Sequence, residues 1–195
     1  MSRPIFTMTA VVSADGYIGR RAGEHPGSWA SAAEQTRFLA EVPRYDWAFM
    51  GRTTHETAFR EDRRRVVFSR AARGLDWRHE THLWVDPNRV PLADIMAALV
   101  PVRPPQRCIV LGGTTVHDWF LARDLIDRIE LTIEPLRFGG GLALLTGQAG
   151  DLTEELVRRG FAVVEQQMLN PEGTWLLVFT PRARRDHVDD PTSVR

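Results

Sequence analysis

The sequence predicts an α/β fold with three layers, α/β/α, around a mixed, mostly parallel central sheet that ends in an antiparallel hairpin. Apolar, β-branched runs alternate with helix-like segments along most of the chain, which is the pattern of a sheet covered on both faces. Near the C-terminus, two strand-like runs at 161–168 and 175–179 flank a turn sequence containing Asn170, Pro171 and Gly173. Such a turn predicts the closing hairpin.

The elements follow from local patterns taken in chain order. The first strand is predicted at 5–12, where an apolar run ends in the turn sequence Asp15-Gly16. The segment 20–28 contains glycines and a proline, so an irregular loop beside the site is expected there. Further strands are predicted at 47–50, 66–69, 82–85, 107–111 and 129–133. Further helices are predicted at 92–99, 116–122 and 152–159.

One more helix carries a clear start signal. Ser31 can act as its N-cap, and Glu34 three residues later completes a capping-box pattern. The helix is therefore predicted to continue to about Val42. Phe38 and Leu39 are expected to face the interior of the protein.

Length and composition indicate one domain. The 195 residues include 43% hydrophobic residues and six tryptophans, enough for a substantial core. We predict that this domain covers 1–180. The segment 181–195 is charged and nearly devoid of apolar groups, which predicts a disordered tail. Lys plus Arg and Asp plus Glu balance at 25 each, which argues against a generally basic surface for nucleic acid.

Several kinds of site are not expected. The single cysteine, Cys108, rules out an intrachain disulfide and lies in an apolar run typical of a buried structural thiol. His79 and His82 are three residues apart without a helix or carboxylate partner, so no metal site is predicted. The N-terminus lacks the apolar core of a signal peptide, and no apolar run is long enough to span a membrane. These features predict a cytoplasmic protein.

Two strand-to-helix junctions carry the strongest chemical signal. Each consists of an apolar run, then glycine and threonine, then a predicted helix: one at 47–54 and one at 108–115. Glycine allows close approach of a ligand, and a helix N-terminus offers unpaired N–H groups with a positive dipole. Two such junctions in one small domain predict two backbone sites for the phosphates of a dinucleotide.

The order and spacing of several motifs resemble the dihydrofolate reductase superfamily over residues 5 to about 180. The motifs are Ser13-Ala-Asp15-Gly16-Tyr-Ile-Gly19, Trp29 with Glu34 and Phe38, Met50-Gly51-Arg52-Thr53, Val67-Phe-Ser69-Arg70, Leu111-Gly112-Gly113 and the run 125–135. The first motif, the run ending at Pro135 and the glycines at 139–141 are most similar to the reductase domain of bacterial riboflavin biosynthesis. The His-x-Glu and Cys-x-x-Cys signatures of its zinc deaminase partner domain are missing from this chain.

The resemblance implies a dihydrofolate reductase-like fold that binds NADPH. The first junction would hold the pyrophosphate, and the second would lie against the nicotinamide end or the pyrophosphate. Ser69 and Arg70 would bind the 2′-phosphate, which predicts NADPH rather than NADH. For Arg52 or Arg70 alone, a solvated surface side chain is an equally good interpretation. The residues assigned to the cofactor are Gly51, Arg52, Thr53, Thr54, Ser69, Arg70, Gly112, Gly113, Thr114 and Thr115, the last two also as caps of the following helix.

The resemblance also suggests Glu34, Asp15 and Thr132 as catalytic residues. Glu34 lies five residues after Trp29 and four before Phe38, the spacing of the acid in folate reductases. There it could relay a proton or bind the amidine edge of a pyrimidine ring, steadied by Thr132. Two alternatives stay open. Glu34 can instead be only a helix-capping residue that points to solvent, and Asp15 an ordinary turn residue.

Four further residues are candidates for ligand contacts. His117 stands where folate reductases place an aromatic hydroxyl near the nicotinamide, and it is interpreted either as a substrate ligand or as a histidine on the helix surface. Arg20, Arg21 and Arg44 are candidates for contact with a substrate phosphate, with solvated loop arginines as the alternative.

These features predict an NADPH-dependent reductase that transfers hydride to a pyrimidine-sugar or pterin-like substrate. The resemblance favours 5-amino-6-(5-phosphoribosylamino)uracil reductase-type activity in riboflavin biosynthesis. The alternatives are a dihydrofolate reductase-type activity and a dinucleotide-binding protein without catalysis. A homodimer with a small heterocyclic substrate, and without nucleic-acid or membrane partners, is also expected.

Overall fold

The computed structural model describes residues 3–148 and 151–182. Beyond Pro181 and Arg182, the predicted disordered tail lies outside the described residues. The regular elements are, in chain order, β1 (Ile5–Ser13), β2 (Tyr17–Gly19), α1 (Ala32–Glu41), β3 (Trp47–Gly51), α2 (Arg52–Thr57), β4 (Arg65–Phe68), β5 (Asp76–His79), β6 (His82–Val85), α3 (Leu92–Leu99), β7 (Arg107–Gly112), α4 (Thr114–Leu121), β8 (Arg128–Glu134), β9 (Leu142–Ala143), α5 (Leu152–Arg158), β10 (Phe161–Met168) and β11 (Trp175–Pro181).

Nine strands form one mixed sheet in the order β10-β11-β8-β1-β7-β3-β4-β6-β5. Within this order, each consecutive pair of strands in the segment β8-β1-β7-β3-β4-β6 is parallel. Strand β5 is antiparallel to β6, and the β10–β11 hairpin adds two antiparallel strands beside β8. This mostly parallel sheet with a C-terminal hairpin confirms the predicted fold class.

The predicted strands and helices are all present, with shifts of one or two residues at some ends. Three short strands lack a sequence signal: β2 and β9, which pair only with each other, and β5, which lies at the edge of the large sheet. Their formation depends on a distant partner or an edge position rather than on local periodicity. The expectation that Leu39 faces inward is wrong, because 60% of its surface is exposed.

The two faces of the sheet bury side chains of different size. One face packs an aromatic cluster of Phe6, Phe49, Phe68 and Phe120 with ring centroids 5.1–6.1 Å apart. Cys108 belongs to the same buried core, which confirms a buried thiol. Because successive strand residues point to opposite faces, the neighbouring positions supply the other surface.

That other face holds a smaller cluster under α1. It contains Tyr45, Ala48, Met50 and Ile109, against which Phe38 packs from the helix. Small side chains such as Ala48 leave more room here than the aromatic rings leave on the opposite face. The sheet is therefore open between α1 and α2, where a cleft forms.

Candidate active site

A cleft of about 1210 Å³ opens at the carboxyl ends of β3, β4 and β7, bordered by α1 and α2. Ligands of open α/β sheets bind at this edge, where strand ends and helix starts converge. Nine of the residues predicted to bind the cofactor line it: Gly51, Arg52, Thr53, Thr54, Ser69, Arg70, Gly113, Thr114 and Thr115. Gly112 is their buried neighbour.

The two glycine junctions meet in this cleft. Strands β3 and β7 are adjacent and parallel, with Met50 paired to Gly112. A Cβ on Gly51 would lie 3.9 Å from the Gly112 carbonyl oxygen and 4.0 Å from the Gly113 nitrogen. The junctions, 61 residues apart between Gly51 and Gly112 in the numbering, therefore form one backbone surface.

Gly112 is required at the second junction because a histidine ring lies against it. Its φ is +83°, and a Cβ there would be 2.5 Å from Cε1 and Nε2 of His117. Only 1% of His117 is exposed, so the interpretation as a surface histidine is wrong. Its Nδ1 lies 3.2 Å from the Leu144 carbonyl oxygen, and burial lowers the pKa of the ring to about 4. His117 is thus a neutral side chain that lines the cleft.

Neither helix that starts at the cleft is capped by a side chain. Gly51 is the N-cap of α2 and Gly113 the N-cap of α4. The prediction that Thr114 and Thr115 cap the helix is wrong, since both lie inside α4 and the Thr114 hydroxyl donates to the Ala143 carbonyl at 2.6 Å. A helix start without a side-chain cap leaves backbone N–H groups for a ligand.

The cleft is rich in positive charge. Six arginines line it: Arg21, Arg52, Arg60, Arg63, Arg65 and Arg70. The acidic residues of the lining are Glu24 and Glu34, and each already forms an ion pair with a neighbouring arginine. The excess of guanidinium groups suits an anionic ligand.

Ser69 and Arg70, which were predicted to contact the 2′-phosphate, line the cleft after β4. The Ser69 side-chain oxygen accepts a hydrogen bond from the Ala71 amide at 3.3 Å, which shapes the turn after β4. Arg70 is exposed at the cleft. The loop after β6 closes this end of the cleft with Pro87 and Asn88.

Glu34 is buried at the inner wall of the cleft, with 3% of its surface exposed. Its Oε2 accepts hydrogen bonds from the Thr132 hydroxyl at 2.5 Å and from Arg37 Nε at 2.9 Å. The alternative of a capping residue that points to solvent is therefore wrong. Ser31 does cap α1, accepting from the Glu34 amide at 3.3 Å, but the reciprocal bond of a capping box is absent from the described contacts.

Glu134, which no local sequence pattern indicates, accepts the hydrogen bond from the Ser31 amide that Glu34 would accept in a capping box. Its buried carboxylate accepts from the Ser31 amide at 2.8 Å and from the Thr174 hydroxyl at 2.7 Å. A carboxylate at a helix N-terminus is favourable because of the helix dipole. Glu134 therefore joins the start of α1 to β8 and to the hairpin turn, and so sets the position of Glu34.

Arg37 and Glu130 were also missed. Arg37 forms ion pairs with Glu34 at 2.9 Å and with Glu130 at 3.0 Å. Burial acts to lower the pKa of Arg37, but these two carboxylates raise it above its usual range. The spacing of Glu34 and Arg37, three residues apart on a helix, was the available signal.

Asp15 fastens a loop and is not part of the cleft lining. Its carboxylate accepts from the Ser13 hydroxyl at 2.6 Å and from the Gly139 amide at 2.8 Å, with a further amide bond from Phe138. Desolvation acts to raise the pKa of Asp15, but the hydrogen bonds prevail and lower it to about 2. Thr132 likewise lies behind Glu34 rather than on the cleft surface.

Two of the three arginines considered for a substrate phosphate lie elsewhere. Arg20 pairs with Glu24, and Arg44 pairs with Glu41. Neither lines the cleft, whereas Arg21 does. At the cleft end between α2 and β4, the lining instead includes Arg63 and Arg65, which were not among the predicted candidates.

The polar atoms of the cleft test whether a nucleotide cofactor fits. Across 3–148 and 151–182, six buried side-chain nitrogen or oxygen atoms have no hydrogen-bond partner. Four belong to residues of the cleft lining: Thr9, Arg65, His117 and Trp119. Buried polar groups are normally paired, so this concentration suits a cleft completed by a polar ligand. With the arginines and the glycine junctions, it fits a nucleotide cofactor.

Other classes of site find no support in the described part of the chain. Within it, no group of three or more His, Cys, Asp or Glu residues is placed to hold a metal ion. No helix among these residues is long and apolar enough to cross a membrane.

Comparisons with known proteins show the family and the fold of this chain. The family model described as RibD C-terminal domain matches residues 4–168. A protein described as a riboflavin biosynthesis protein from Shewanella sp. PV-4 superposes with a TM-score of 0.67 at 22% identity, covering 91% of this chain and 99% of that one. No curated protein matches the sequence.

Two larger proteins share the fold. RibD of Acinetobacter baumannii superposes with a TM-score of 0.69 at 16% identity over 91% of this chain. A diaminohydroxyphosphoribosylaminopyrimidine deaminase/5-amino-6-(5-phosphoribosylamino)uracil reductase from Thermotoga maritima gives 0.61 at 20% identity over 92%. This chain spans 58% and 57% of those two chains.

Proposed function

Because the chain belongs to the RibD C-terminal domain family, we propose that it is an NADPH-dependent reductase of riboflavin biosynthesis, of the 5-amino-6-(5-phosphoribosylamino)uracil reductase type. The observation that carries this proposal is the meeting of both glycine junctions with Glu34 in one arginine-lined cleft. A dinucleotide and a heterocycle need a backbone surface, positive charge and a polar anchor, and this cleft offers all three.

The cofactor would be held by the residues at the carboxyl ends of the strands. The uncapped starts of α2 and α4 would bind the pyrophosphate through backbone N–H groups, with Arg52 nearby. Ser69 and Arg70 would bind the 2′-phosphate. When bound, NADPH supplies the hydride, while the chain orients the reactants and excludes water.

Glu34 would bind the heterocycle. The Glu34 carboxylate is the acceptor in each of its described hydrogen bonds, and one of the donors is the cationic guanidinium of Arg37. We therefore favour recognition of substrate N–H groups over proton relay as its role. Thr132 would hold the carboxylate, and Asp15 would position the loop at Phe138 without touching the substrate.

Turnover tests the activity directly. NADPH oxidation is followed by absorbance with the ribosylaminopyrimidine phosphate and, in parallel, with dihydrofolate. Faster oxidation with the pyrimidine-sugar is expected. Faster oxidation with dihydrofolate would favour a dihydrofolate reductase-type activity, and binding of NADPH without oxidation would favour a dinucleotide-binding protein.

Cofactor choice is tested by thermal shift. NADPH should raise the midpoint of the wild type more than NADH does, because binding to the native state stabilises it. Arg70→Met should reduce that difference. Arg73→Met, an exposed arginine outside the cleft lining three residues along the same loop, is the matched control. Equal shifts with both nucleotides would refute the 2′-phosphate assignment.

The homodimer and the cytoplasmic location remain predictions. In the described chain, β10 lies at one edge of the sheet and exposes Val163, Val164 and Met168. Light scattering at micromolar concentration would determine the number of subunits, and a monomer would contradict the predicted assembly.

A further inference from the structure

The Arg37 guanidinium lies between two carboxylates from different elements. On one side its Nε and Nη2 face Oε2 and Oε1 of Glu34 at 2.9 and 3.3 Å. On the other side its Nη1 donates to Oε2 of Glu130 at 3.0 Å. Glu130 also accepts a hydrogen bond from Arg128 Nε at 2.9 Å. Negative and positive side chains therefore alternate from Glu34 on α1 to Arg128 on β8. The Arg37 side chain is only 14% exposed.

This arrangement restricts the Glu34 side chain. Within the described residues, Oε2 accepts hydrogen bonds from both Thr132 and Arg37 Nε, whereas Oε1 accepts only the longer bond from Arg37 Nη2. Oε1 therefore keeps most of its acceptor capacity in a residue that lines the cleft. A forked guanidinium contact orients a carboxylate plane better than a single-point contact does. Glu130 in turn prevents the guanidinium from turning away from Glu34.

We infer that Arg37, anchored by Glu130, is a positioning residue that holds Glu34 as an acceptor for the N–H groups of the substrate heterocycle. This inference rests on the proposed function, since Glu34 must contact the substrate. Arg37 itself does not touch the substrate. Removing it would leave the buried Glu34 carboxylate without its cation and with the Thr132 hydroxyl as its remaining described donor, which is the costly way to break a buried ion pair.

The variant Arg37→Met should weaken substrate binding more than it slows the bound complex. KM for the heterocycle is expected to rise about tenfold or more, the scale of one charged hydrogen bond, while kcat changes by less than about threefold. Arg37→Lys keeps the charge but not the fork and should restore part of the affinity. KM for NADPH should stay near the wild-type value.

A double-mutant cycle separates positioning from a general structural effect. If Arg37 acts through Glu34, then Arg37→Met should have little further effect in a Glu34→Gln background. If the losses multiply instead, the positioning role is overturned and the proposed function stands. Arg158→Met is the matched control, because Arg158 pairs with the buried Glu155 at the same three-residue spacing on α5. It should leave KM and kcat unchanged.

Binding measurements test the positioning role of Arg37 even if turnover is not observed. The dissociation constant of the ribosylaminopyrimidine phosphate is measured by calorimetry with NADP⁺-saturated protein in the same cycle, and a non-additive loss of affinity supports the inference. If Glu34→Gln binds like wild type, both the Glu34 assignment and the role of Arg37 are overturned, whereas NADPH oxidation by the wild type would still support a reductase. Failure of the wild type to bind the heterocycle overturns both proposals.

Discussion

The contact between Gly112 and His117 makes Gly112→Ala a sharp test of the cleft. Alanine at a φ of +83° is strained, on the order of 1–2 kcal/mol. Its Cβ would also lie 2.5 Å from two ring atoms of His117, closer than atoms can approach. The buried ring must then move, and its contact with the Leu144 carbonyl at 3.2 Å is lost.

The expected cost follows from these terms. Losing the hydrogen bond costs about 1 kcal/mol, and an off-rotamer ring costs about 1 kcal/mol more. With the backbone strain, the free energy of unfolding should fall by about 3–4 kcal/mol. For a domain of this size, that corresponds to a melting temperature lower by about 10 °C.

Gly113→Ala is the matched control. Its Cβ would meet Ile18 Cδ1 at 3.6 Å, an ordinary contact, and its φ is −74°. We expect a loss of about 1 kcal/mol or less, from the weaker N-cap. The assay is urea unfolding with calorimetric melting of both variants and of Gly112→Ala with His117→Ala. In that double variant the clash is relieved, so the losses should be less than additive. Equal stability of the two glycine variants would refute the reasoning.

Three further predictions concern ionisable groups. The pKa of Asp15 is about 2 in the folded protein against 3.8 in the unfolded chain, so the ionised side chain stabilises the fold above pH 3.8 and this stabilisation is lost as pH falls toward 2. Urea unfolding of Asp15→Asn at the same pH values should not show that loss. Burial lowers the pKa values of His55 and His117 from 6.5 to about 4, so the unfolded chain binds more protons in that range and the free energy of unfolding should decrease as pH falls from 6.5 to 4. His117→Asn should reduce this pH dependence, and a free energy of unfolding that does not change with pH in the wild type would contradict the prediction. Burial raises the pKa of Cys108 to about 12, so an aromatic disulfide reagent should label it only at the rate of unfolding; fast labelling of the native protein would contradict the buried position.

Local signals account for the parts of the fold that were predicted. The apolar runs of β3 and β7, the Ser31 cap and the Asn170–Gly173 turn each act over a few neighbouring residues, and their elements are present. Strands β2 and β9 lack such a signal because Tyr17 pairs with Ala143, far away in the chain. Leu39 was misplaced because a helical period cannot tell which flank of a helix meets the sheet and which borders an open cleft.

Some features of the candidate site are local in sequence, and others depend on strand pairing. The glycine junctions, Ser69-Arg70 and the position of Glu34 could be read from the sequence, since strand ends, helix starts and motif spacing are local. The resemblance implied Thr132 beside Glu34, but local spacing indicates neither that contact nor the one between Arg37 and Glu130, because Thr132 and Glu130 are brought to α1 only when β8 pairs beside β1. The same long-range pairing supplied Glu134 as the anchor of α1 and turned Asp15 toward a loop.

The sequence by itself determined the α/β class, the family and the positions of the two glycine junctions. Tertiary structure decided that the junctions form one surface, that His117 is buried against Gly112, and that Arg37 faces Glu34 from one side and Glu130 from the other. The physical reason is that periodicity and turn chemistry depend on neighbours in the chain. The charge and hydrogen-bond partners of a buried group depend on which strands lie side by side.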